Sequence, residues 1–519
     1  MHGDLERDYH FFVLEPNYLS QGTGLYRDPL QNRRRDVWFF PEVEDFNLRL
    51  FLSLLQLDAY NPQIVSRLTY TVEDMSKVEK LLRRILSAKR VEEFKQILQC
   101  PFTPGEFIMK LEEAGIRDRT SWEKILAELL ECCRQNDVGA LHEGFWVDHW
   151  TYNLDLIDTF LEIYPEKLEE LLLRRDYTFY DNPDIVLPRK FKHVLVDGKV
   201  RQYCAVVRDQ EKLKRIQKRT ELPTLVRTKH GHGKVFRTNL LVKLLSIVVN
   251  RMATLDPSGA GVEMEADKPG WNDSMNGLPG LLGSSLCETL EIERLCRFLR
   301  FSLDKIKGQR EVGIYEELYE FMRGLNRAIL RRISGGSSIV YWRESNELKE
   351  RYREQTKFGV SGRERRVSFK ELETFLTACL ELLNSIFSFK NLRKVMDSSG
   401  VPYTYFINEA ADYRVLWRDP KKKLPLCGPS GFPCVEIKKF KPRTVSLFLE
   451  GPVHMLRVHP ETAPRVYRAV RRSQLYDRKL RMFKVCESLE REPFEIGRVR
   501  AYARGWLENE SVYLHMEYK

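Results

Sequence analysis

The sequence lacks several features that would each point to a particular class of protein. It has no apolar run near the ~20 residues that a membrane-spanning helix needs, and its longest candidate, Leu240–Val249, is interrupted by Lys243. Its ten cysteines include no C-x-x-C pair, which argues against a zinc site or a disulfide scaffold and favours reduced thiols in the cytoplasm. It has no Gly/Ser-rich or Pro-rich linker and no regular repeat. We therefore expect one cytoplasmic domain over residues 1–519, without a metal.

The formal net charge of +11 does not by itself indicate a nucleic-acid partner. Basic and acidic residues are interspersed along most of the chain, as on a solvated helix surface. Short basic clusters such as Arg33–Arg35 come without a nucleic-acid-binding motif. A basic active site that attracts phosphate or a sugar phosphate would use the same excess. We expect small ligands rather than nucleic acid or a membrane as partners.

Apolar residues recur at intervals near 3.6 over most of the chain, which predicts a mainly helical fold. The predicted helices are Phe46–Leu57, Val78–Leu98, Ser121–Arg134, Leu154–Arg174, Lys212–Arg219, Phe236–Met252, Ser284–Phe301, Tyr315–Ile333, Asn346–Tyr352, Phe369–Phe387 and Thr462–Arg472. Long irregular segments connect them, at Tyr18–Pro41, Glu143–Asn153, Arg227–Lys234, Asp256–Ser285 and Leu424–Pro442. Paired helices with long connecting loops suggest an (α/α)6 toroid, in which the loops at one end form a pocket.

Small β insertions are expected near residues 185–207 and 424–453. Asp197-Gly198 lies between alternating apolar residues, which predicts a hairpin of Lys192–Val196 with Arg201–Val207. A second extended region is predicted at Val435–Val453.

The segment Lys268–Gly283 is the most informative for chemistry. It places the carboxylate of Asp273 directly after Trp271 and Asn272, among glycines and prolines that exclude a helix. A carboxyl group beside an aromatic face in a tight loop can have a raised pKa and act as a general acid. Trp271 and the glycine-rich backbone also suit a sugar ring. The alternative interpretation is an ordinary turn that caps the next helix.

Three further loops carry candidate binding residues. Arginine, aspartate and amide side chains of the first loop suit vicinal hydroxyls or phosphate, although a surface salt-bridge network would look the same. These residues are Arg27, Asp28, Gln31 and Asp36, and the aromatic Tyr26 directly precedes them. Trp150 belongs to an aromatic segment that could stack on a sugar or pack in the core. Arg227 and His230 lie in a basic, glycine-rich turn that suits an anion or simple solvent exposure.

Together these segments resemble the inverting glycoside phosphorylases of glycoside hydrolase family 94 and related oligoglucan phosphorylases, a group that includes cellobiose phosphorylase. The resemblance covers nearly the whole chain. It rests on Tyr26-Arg27-Asp28 with Gln31, on Trp271-Asn272-Asp273, and on Glu508-Asn509 followed by His515. The Trp-Asn-Asp element is the most specific of these motifs.

The resemblance implies an (α/α)6 barrel that needs no cofactor, with inorganic phosphate as co-substrate and an oligosaccharide as substrate. Asp273 would be the general acid, Arg27 would bind the donor glucose, and His515 would contact phosphate. The family has an aspartate directly after the glutamine, where this chain has Asn32. The donor-binding role therefore stays open between Asp28 and Asp36. A homodimer also stays open.

Two differences from the family set further expectations. Family members carry an N-terminal β-sandwich and continue past the histidine, whereas this chain ends at Lys519, in what we interpret as a helix. We therefore expect a truncated barrel that exposes apolar surface. Two alternative functions remain. One is an inverting hydrolase with Glu508, Glu510 or Asp148 as base, and the other is a non-catalytic carbohydrate-binding barrel. An RNA-binding helical protein is a more distant alternative, which strong salt-sensitive binding to nucleic acid would support.

Overall fold

The computed structural model describes the chain in ranges, with gaps between them. They are residues 24–26, 30, 33–34, 36–39, 41–62, 64–65, 69–116, 119–136, 139–140, 150–202, 206–257, 261–263, 283–308, 310–386, 405–416, 434–444, 453–456, 476–477, 482–486, 501–508 and 511–518. Over these ranges the fold is mainly helical, as the apolar periodicity predicts. Among the helices it contains, none combines the length and the apolar character needed to cross a bilayer.

The α-helices differ widely in length, from single turns to five turns. They are Asp36–Phe39, Phe46–Ser53, Met75–Arg83, Ala88–Leu98, Pro104–Glu113, Arg119–Leu130, Tyr152–Ile163, Leu168–Leu173, Arg189–Lys192, Gln210–Gln217, Leu240–Met252, Leu286–Lys305, Glu316–Ile333, Ser338–Thr356 and Phe369–Ile386. Single 3₁₀ turns lie at Pro41–Val43, Pro165–Lys167 and Lys229–Gly231.

The helix Leu240–Met252, called the central helix below, lies in the middle of the core. All of its 13 residues are buried, whereas a surface helix buries only one face. It begins where the Asn239 side chain accepts a hydrogen bond from the Val242 amide, at 2.9 Å. This cap explains why the helix starts four residues later than the predicted Phe236. The helices Leu168–Leu173, Leu286–Lys305 and Glu316–Ile333 pack against it.

Three polar side chains of the central helix hold a neighbouring irregular segment, residues 54–61. Lys243 Nζ donates to the carbonyl oxygens of Leu55, at 3.2 Å, and of Thr178. Asn250 Nδ2 donates to Leu57 O at 3.1 Å, and Arg251 Nη2 donates to Ala59 O at 2.8 Å. Buried backbone carbonyls need donors. The segment therefore explains why a lysine, an asparagine and an arginine lie inside the core.

The four longest helices pack on one another beside the central helix. Glu316–Ile333 and Ser338–Thr356 are joined by the short connection 334–337, which makes them a helical hairpin. Leu286–Lys305 packs against Phe369–Ile386. The predicted helices at Tyr315–Ile333 and Phe369–Phe387 are confirmed. A helix is present where Asn346–Tyr352 is predicted, but the observed helix, Ser338–Thr356, is longer by a turn or more at each end.

A group of four helices within residues 75–130 has a hydrophobic cluster of its own, built around Val78, Phe94 and Phe107. The prediction of one continuous helix over Val78–Leu98 is wrong, because the chain breaks after Arg83 and restarts with Ser87 in the N-cap conformation. We did not predict Pro104–Glu113, although Thr103 and Glu106 form a complete capping box at its start.

Short antiparallel strand pairs connect the helices. They comprise the sheet of Gly24–Leu25, Ile64–Val65 and Gly139–Ala140, and the pairs Tyr70–Val72 with Cys133–Gln135, Asp184–Val186 with Val206–Arg208, and Glu311–Tyr315 with Glu364–Ser368. A hairpin forms at Asp197-Gly198 as predicted, but the predicted second strand Arg201–Val207 is wrong, because Val206–Arg208 pairs with Asp184–Val186 instead. His193–Val196 pairs with Lys199–Gln202, and both turn residues have positive φ, 48° and 71°, as a type I′ turn requires.

Two larger sheets complete the described structure. One has the strand order Val262–Glu263, Gly283–Ser285, Tyr405–Val415, Val435–Thr444, and the other Val453–Leu456, Ser511–Tyr518, Ala501–Glu508, Met482–Cys486, Tyr476–Asp477. The expectation that the last residues form a helix is wrong. Val512, Leu514 and Met516 alternate with polar and aromatic residues, which is the period of a strand. The predicted helix Thr462–Arg472 lies outside the described residues.

Candidate functional site

The last turn of the central helix brings Arg251 close to two aromatic rings. Its guanidinium carbon lies 4.6 Å from the centre of the Tyr60 ring and 6.0 Å from that of Trp150. The arginine is 1% exposed, and both rings are fully buried. Cation–π attraction to two rings therefore holds the guanidinium in place.

Arg251 uses few of its hydrogen-bond donors. Nη2 donates to Ala59 O, whereas Nε and Nη1 have no partner among the residues that the structure describes. A guanidinium has five N–H donors, and a buried donor without a partner costs about 1–3 kcal/mol. Ala59 itself has φ 66°, a conformation that costs a non-glycine residue about 1–2 kcal/mol. The unpaired donors of Arg251 and the strained backbone of Ala59 thus lie next to each other.

Two more cations lie near the Tyr60 ring. Lys349 Nζ is 5.8 Å and the Arg353 guanidinium 6.0 Å from its centre. Lys349 donates to Thr254 Oγ1 at 2.7 Å, and Arg353 pairs with Asp58 at 3.3 Å. We call Tyr60, Trp150, Arg251, Lys349 and Arg353 the Tyr60 cluster. It concentrates positive charge in a buried place.

A cavity of about 100 Å³ lies beside the Asp58–Arg353 pair. Its charged lining comprises the acids Asp58, Asp181, Asp184, Glu350 and Glu354 and the bases Lys212, Arg353 and Lys357. Because acids outnumber bases, this cavity does not suit an anion. Arg251 does not line this cavity, whereas Arg353 of the Tyr60 cluster does and is paired there with Asp58.

The structure links two of the predicted binding residues, Trp150 and Tyr26. Asn153 Nδ2 donates to the Tyr26 hydroxyl at 3.1 Å and to Trp150 O at 3.2 Å. The Tyr26 hydroxyl donates to Phe51 O at 2.8 Å, and burial raises its pKa well above the ordinary value. Neither ring is exposed, so neither offers an open face for stacking on a sugar.

Trp150 also connects the cluster to the segment after Asp273. Its Nε1 donates to Glu288 Oε2 at 2.5 Å. Glu288 lies in the first turn of Leu286–Lys305, where its amide donates to the Ser285 cap at 3.2 Å. A carboxylate at a helix N-terminus is stabilised by the helix dipole.

The general-acid candidate Asp273 lies outside the described residues, as do Trp271, Asn272, Arg27, Asp28 and Gln31. The structure does describe both ends of the segment 264–282 that carries Asp273. Glu263 and Ser284 are paired across two short antiparallel strands. The two described residues that flank this segment are therefore adjacent, close to Glu288 and thus to Trp150.

Glu263 is a carboxyl group that we did not identify from the sequence. It is 5% exposed, and Trp342 Nε1 donates to its Oε2 at 3.2 Å. Burial raises its pKa to about 7, although Lys192 and the Trp342 hydrogen bond oppose the shift. A raised carboxyl pKa is typical of proton-transfer sites and also of structural burial. Nothing in the sequence distinguishes Glu263 from other acidic residues near loops.

Asp36 lies in a compact polar contact. It forms a buried ion pair with Arg33 at 3.3 Å, and Asn47 Nδ2 donates to its Oδ2 at 3.2 Å. Asp36 is 3% exposed. These contacts resemble the salt-bridge alternative for the first loop, although in a buried rather than a surface setting.

Arg227 and His230 lie toward the other end of the central helix. Arg227 donates to the carbonyl oxygens of Glu221, at 2.5 Å, and Gly233, at 3.5 Å. His230 is exposed, with φ 50°. The chain runs from this turn into Asn239, which caps the first turn of the central helix, whereas Arg251 is in its last turn. Thirteen helical residues span about 20 Å, so this turn and Arg251 belong to opposite ends of the central helix.

His515 lies in the strand Ser511–Tyr518, opposite Val453 and Arg504 in the neighbouring strands. The elements that form the Tyr60 cluster are not among its strand partners. Within the described ranges, no group of three or more histidine, cysteine or acidic side chains could hold a metal ion.

No model of a known protein family matches the chain, and no curated protein matches it either.

Proposed function

We propose that the chain is an inverting glycoside phosphorylase with Asp273 as its general acid, on a six-hairpin (α/α)6 barrel. Its substrates would be a β-glucosidic di- or oligosaccharide and inorganic phosphate. The proposal rests on the motifs around Tyr26, Asp273 and His515. Its main support from geometry is the link from Trp150 through Glu288 to the point where the Asp273 segment meets the fold.

That link connects motifs that are far apart in sequence. Tyr26, of the first motif, reaches Trp150 through Asn153. Trp150 reaches the helix that follows the Trp-Asn-Asp motif through Glu288. A pocket built from loops requires such separate segments to meet. Buried hydrogen bonds between them hold this meeting point rigidly.

The reaction is a displacement at the anomeric carbon. A phosphate oxygen forms the new C–O bond from the face opposite the glycosidic oxygen, while the glycosidic C–O bond breaks. Asp273 donates its proton to the departing oxygen, and the products are α-glucose 1-phosphate and a shortened saccharide. Phosphate is already a charged nucleophile, so cationic groups that hold it replace the second carboxylate of an inverting hydrolase.

The test is the reverse reaction. Glucose 1-phosphate is offered with glucose, cellobiose, laminaribiose or sophorose, and phosphate release is followed. We expect release with at least one acceptor, and a loss of about 10²-fold or more in kcat for Asp273→Asn, as expected for removing a general acid. Asp267→Asn, a carboxylate of the same segment, is the matched control and should stay near the wild-type rate.

Other outcomes would reject the proposal in distinct ways. Sugar release from an oligosaccharide at the same rate without phosphate would indicate the inverting hydrolase. Saccharide binding without turnover, unchanged in Asp273→Asn, would indicate a non-catalytic barrel.

A further inference from the structure

Arg251 has more hydrogen-bonding capacity than its described neighbours use. One N–H group of Nη2 satisfies Ala59 O, which completes the contact that the 54–61 segment needs. The Nε and Nη1 donors remain without a partner in the described structure. Buried polar groups are nearly always hydrogen-bonded in native proteins. Two unpaired nitrogens, with three N–H donors between them, on one buried guanidinium therefore point to a ligand.

The charge around Arg251 specifies what kind of ligand fits. No carboxylate among the described residues forms an ion pair with Arg251, whereas Arg353 pairs with Asp58. Lys349 and Arg353 lie within about 6 Å of the same Tyr60 ring. An arginine close to two rings, with two other cations nearby, favours an anion over a neutral hydroxyl group. Because a guanidinium offers parallel N–H donors, a tetrahedral oxyanion matches it in two-point contact.

We propose that Arg251 binds a phosphoryl group, either of inorganic phosphate or of glucose 1-phosphate. The identity of the anion rests on the proposed function, whereas the unpaired donors do not. The guanidinium is 1% exposed, so the anion reaches it only when neighbouring side chains move. This assignment differs from the sequence-based candidates His515, Arg227 and His230.

The central helix supplies a matched control. Lys243 is a buried cationic residue of the same helix, and its Nζ already donates to Leu55 O and Thr178 O. If unpaired donors create the anion site, only the arginine should matter for binding. Arg251→Lys keeps the charge and removes the two-point geometry. It is therefore the variant of choice, with Arg251→Met as the second.

The experiment measures equilibrium binding of inorganic phosphate and, separately, of glucose 1-phosphate by calorimetry, using the full chain. We expect Arg251→Lys to weaken binding about tenfold and Arg251→Met about 100-fold, as for loss of charge-assisted contacts. Lys243→Met should stay within about twofold of wild type. Weakening with glucose 1-phosphate alone would identify the sugar-bound phosphoryl group, and weakening with both would identify the shared chemistry.

Two outcomes would overturn the inference. One is unchanged affinity for both ligands in a folded Arg251→Lys variant. The other, which needs no variant, is a wild-type melting temperature that phosphate fails to raise above that in chloride of equal ionic strength. A third result would separate the two proposals. If Arg251→Lys loses phosphate binding but the wild-type protein shows no turnover, the anion site is supported and the phosphorylase activity is rejected.

Discussion

Each end of the central helix buries one cationic side chain in the same core, but the two side chains differ in how many hydrogen bonds they make. At the beginning, Lys243 Nζ donates to two carbonyl oxygens and lies 3.6 Å from the centre of the Phe179 ring. At the end, Arg251 donates to one carbonyl and leaves Nε and Nη1 unpaired among the described residues. Burial is the same, so hydrogen-bond satisfaction is what separates them.

This difference shows how a structural cation can be told from a candidate ligand-binding one. Both residues support the irregular segment 54–61, whose buried carbonyls need donors. A lysine suffices for that task, and burial lowers its pKa well below the ordinary range. An arginine brings more donors than one carbonyl needs. The excess at Arg251 is therefore the feature that calls for an explanation.

The largest predicted effect tests this comparison through stability. Lys243→Met removes the donor from two buried carbonyl oxygens, and we expect a loss of about 2–4 kcal/mol in the free energy of unfolding. Arg251→Met leaves one carbonyl unpaired but also removes two unpaired donor nitrogens, so its change should be about 1 kcal/mol or less. Urea denaturation at pH 7 measures both. Equal losses would contradict the structural distinction between the two residues.

A smaller, pH-dependent effect is expected from Glu263, beyond the Arg251 end of the helix. Its pKa is about 7 in the folded protein, so between about pH 4.5 and 7 the folded state keeps a proton that the unfolded state has lost. Stability should fall as pH rises through this window, by up to about 1.4 kcal/mol per pH unit.

Glu263→Gln should remove this contribution, and the exposed Glu320→Gln should not. Urea denaturation at pH 5, 6 and 7 compares the slopes of the three proteins. A slope in Glu263→Gln identical to that of wild type would show that the carboxyl is not protonated in the fold.

The smallest effect tests whether the comparison is specific to the central helix. Thr103 Oγ1 accepts from the Glu106 amide at 3.1 Å in the separate helical group. Thr103→Ala should cost about 1 kcal/mol in unfolding free energy, and Thr103→Ser should cost less because it keeps the cap. Neither variant should change phosphate affinity in calorimetry. A change there would show that binding reports general stability rather than the local donors.

Much of the helical framework was predictable because the spacing of apolar residues in the sequence reflects which helix face is buried. The helices Glu316–Ile333 and Phe369–Ile386 agree with their predictions to within a residue. The errors have local causes. The predicted helix Val78–Leu98 continues through Ser87, which instead starts a new helix, and Pro165 ends the helix predicted over Leu154–Arg174. The helix predicted for the last residues is wrong because their apolar residues recur at every second position, as in a strand.

The candidate site was less predictable, because its evidence is spatial. An arginine in the last turn of a helix normally lies at the surface, near the helix dipole. Only the burial of Arg251 and its missing partners distinguish it. Glu263 is likewise defined by its Trp342 contact. By contrast, the sequence offers Tyr26 and Trp150 as candidate binding residues, whereas the structure buries both rings and links them through Asn153.

The most direct test of the account locates a bound oxyanion. Crystals soaked in arsenate, a phosphate analogue with a strong anomalous signal, would reveal the anion position without assuming any residue. We predict a peak about 4 Å from the Arg251 guanidinium carbon, the distance of a two-point contact. A peak only at the Arg227–His230 turn or beside His515, with none at Arg251, would contradict the account.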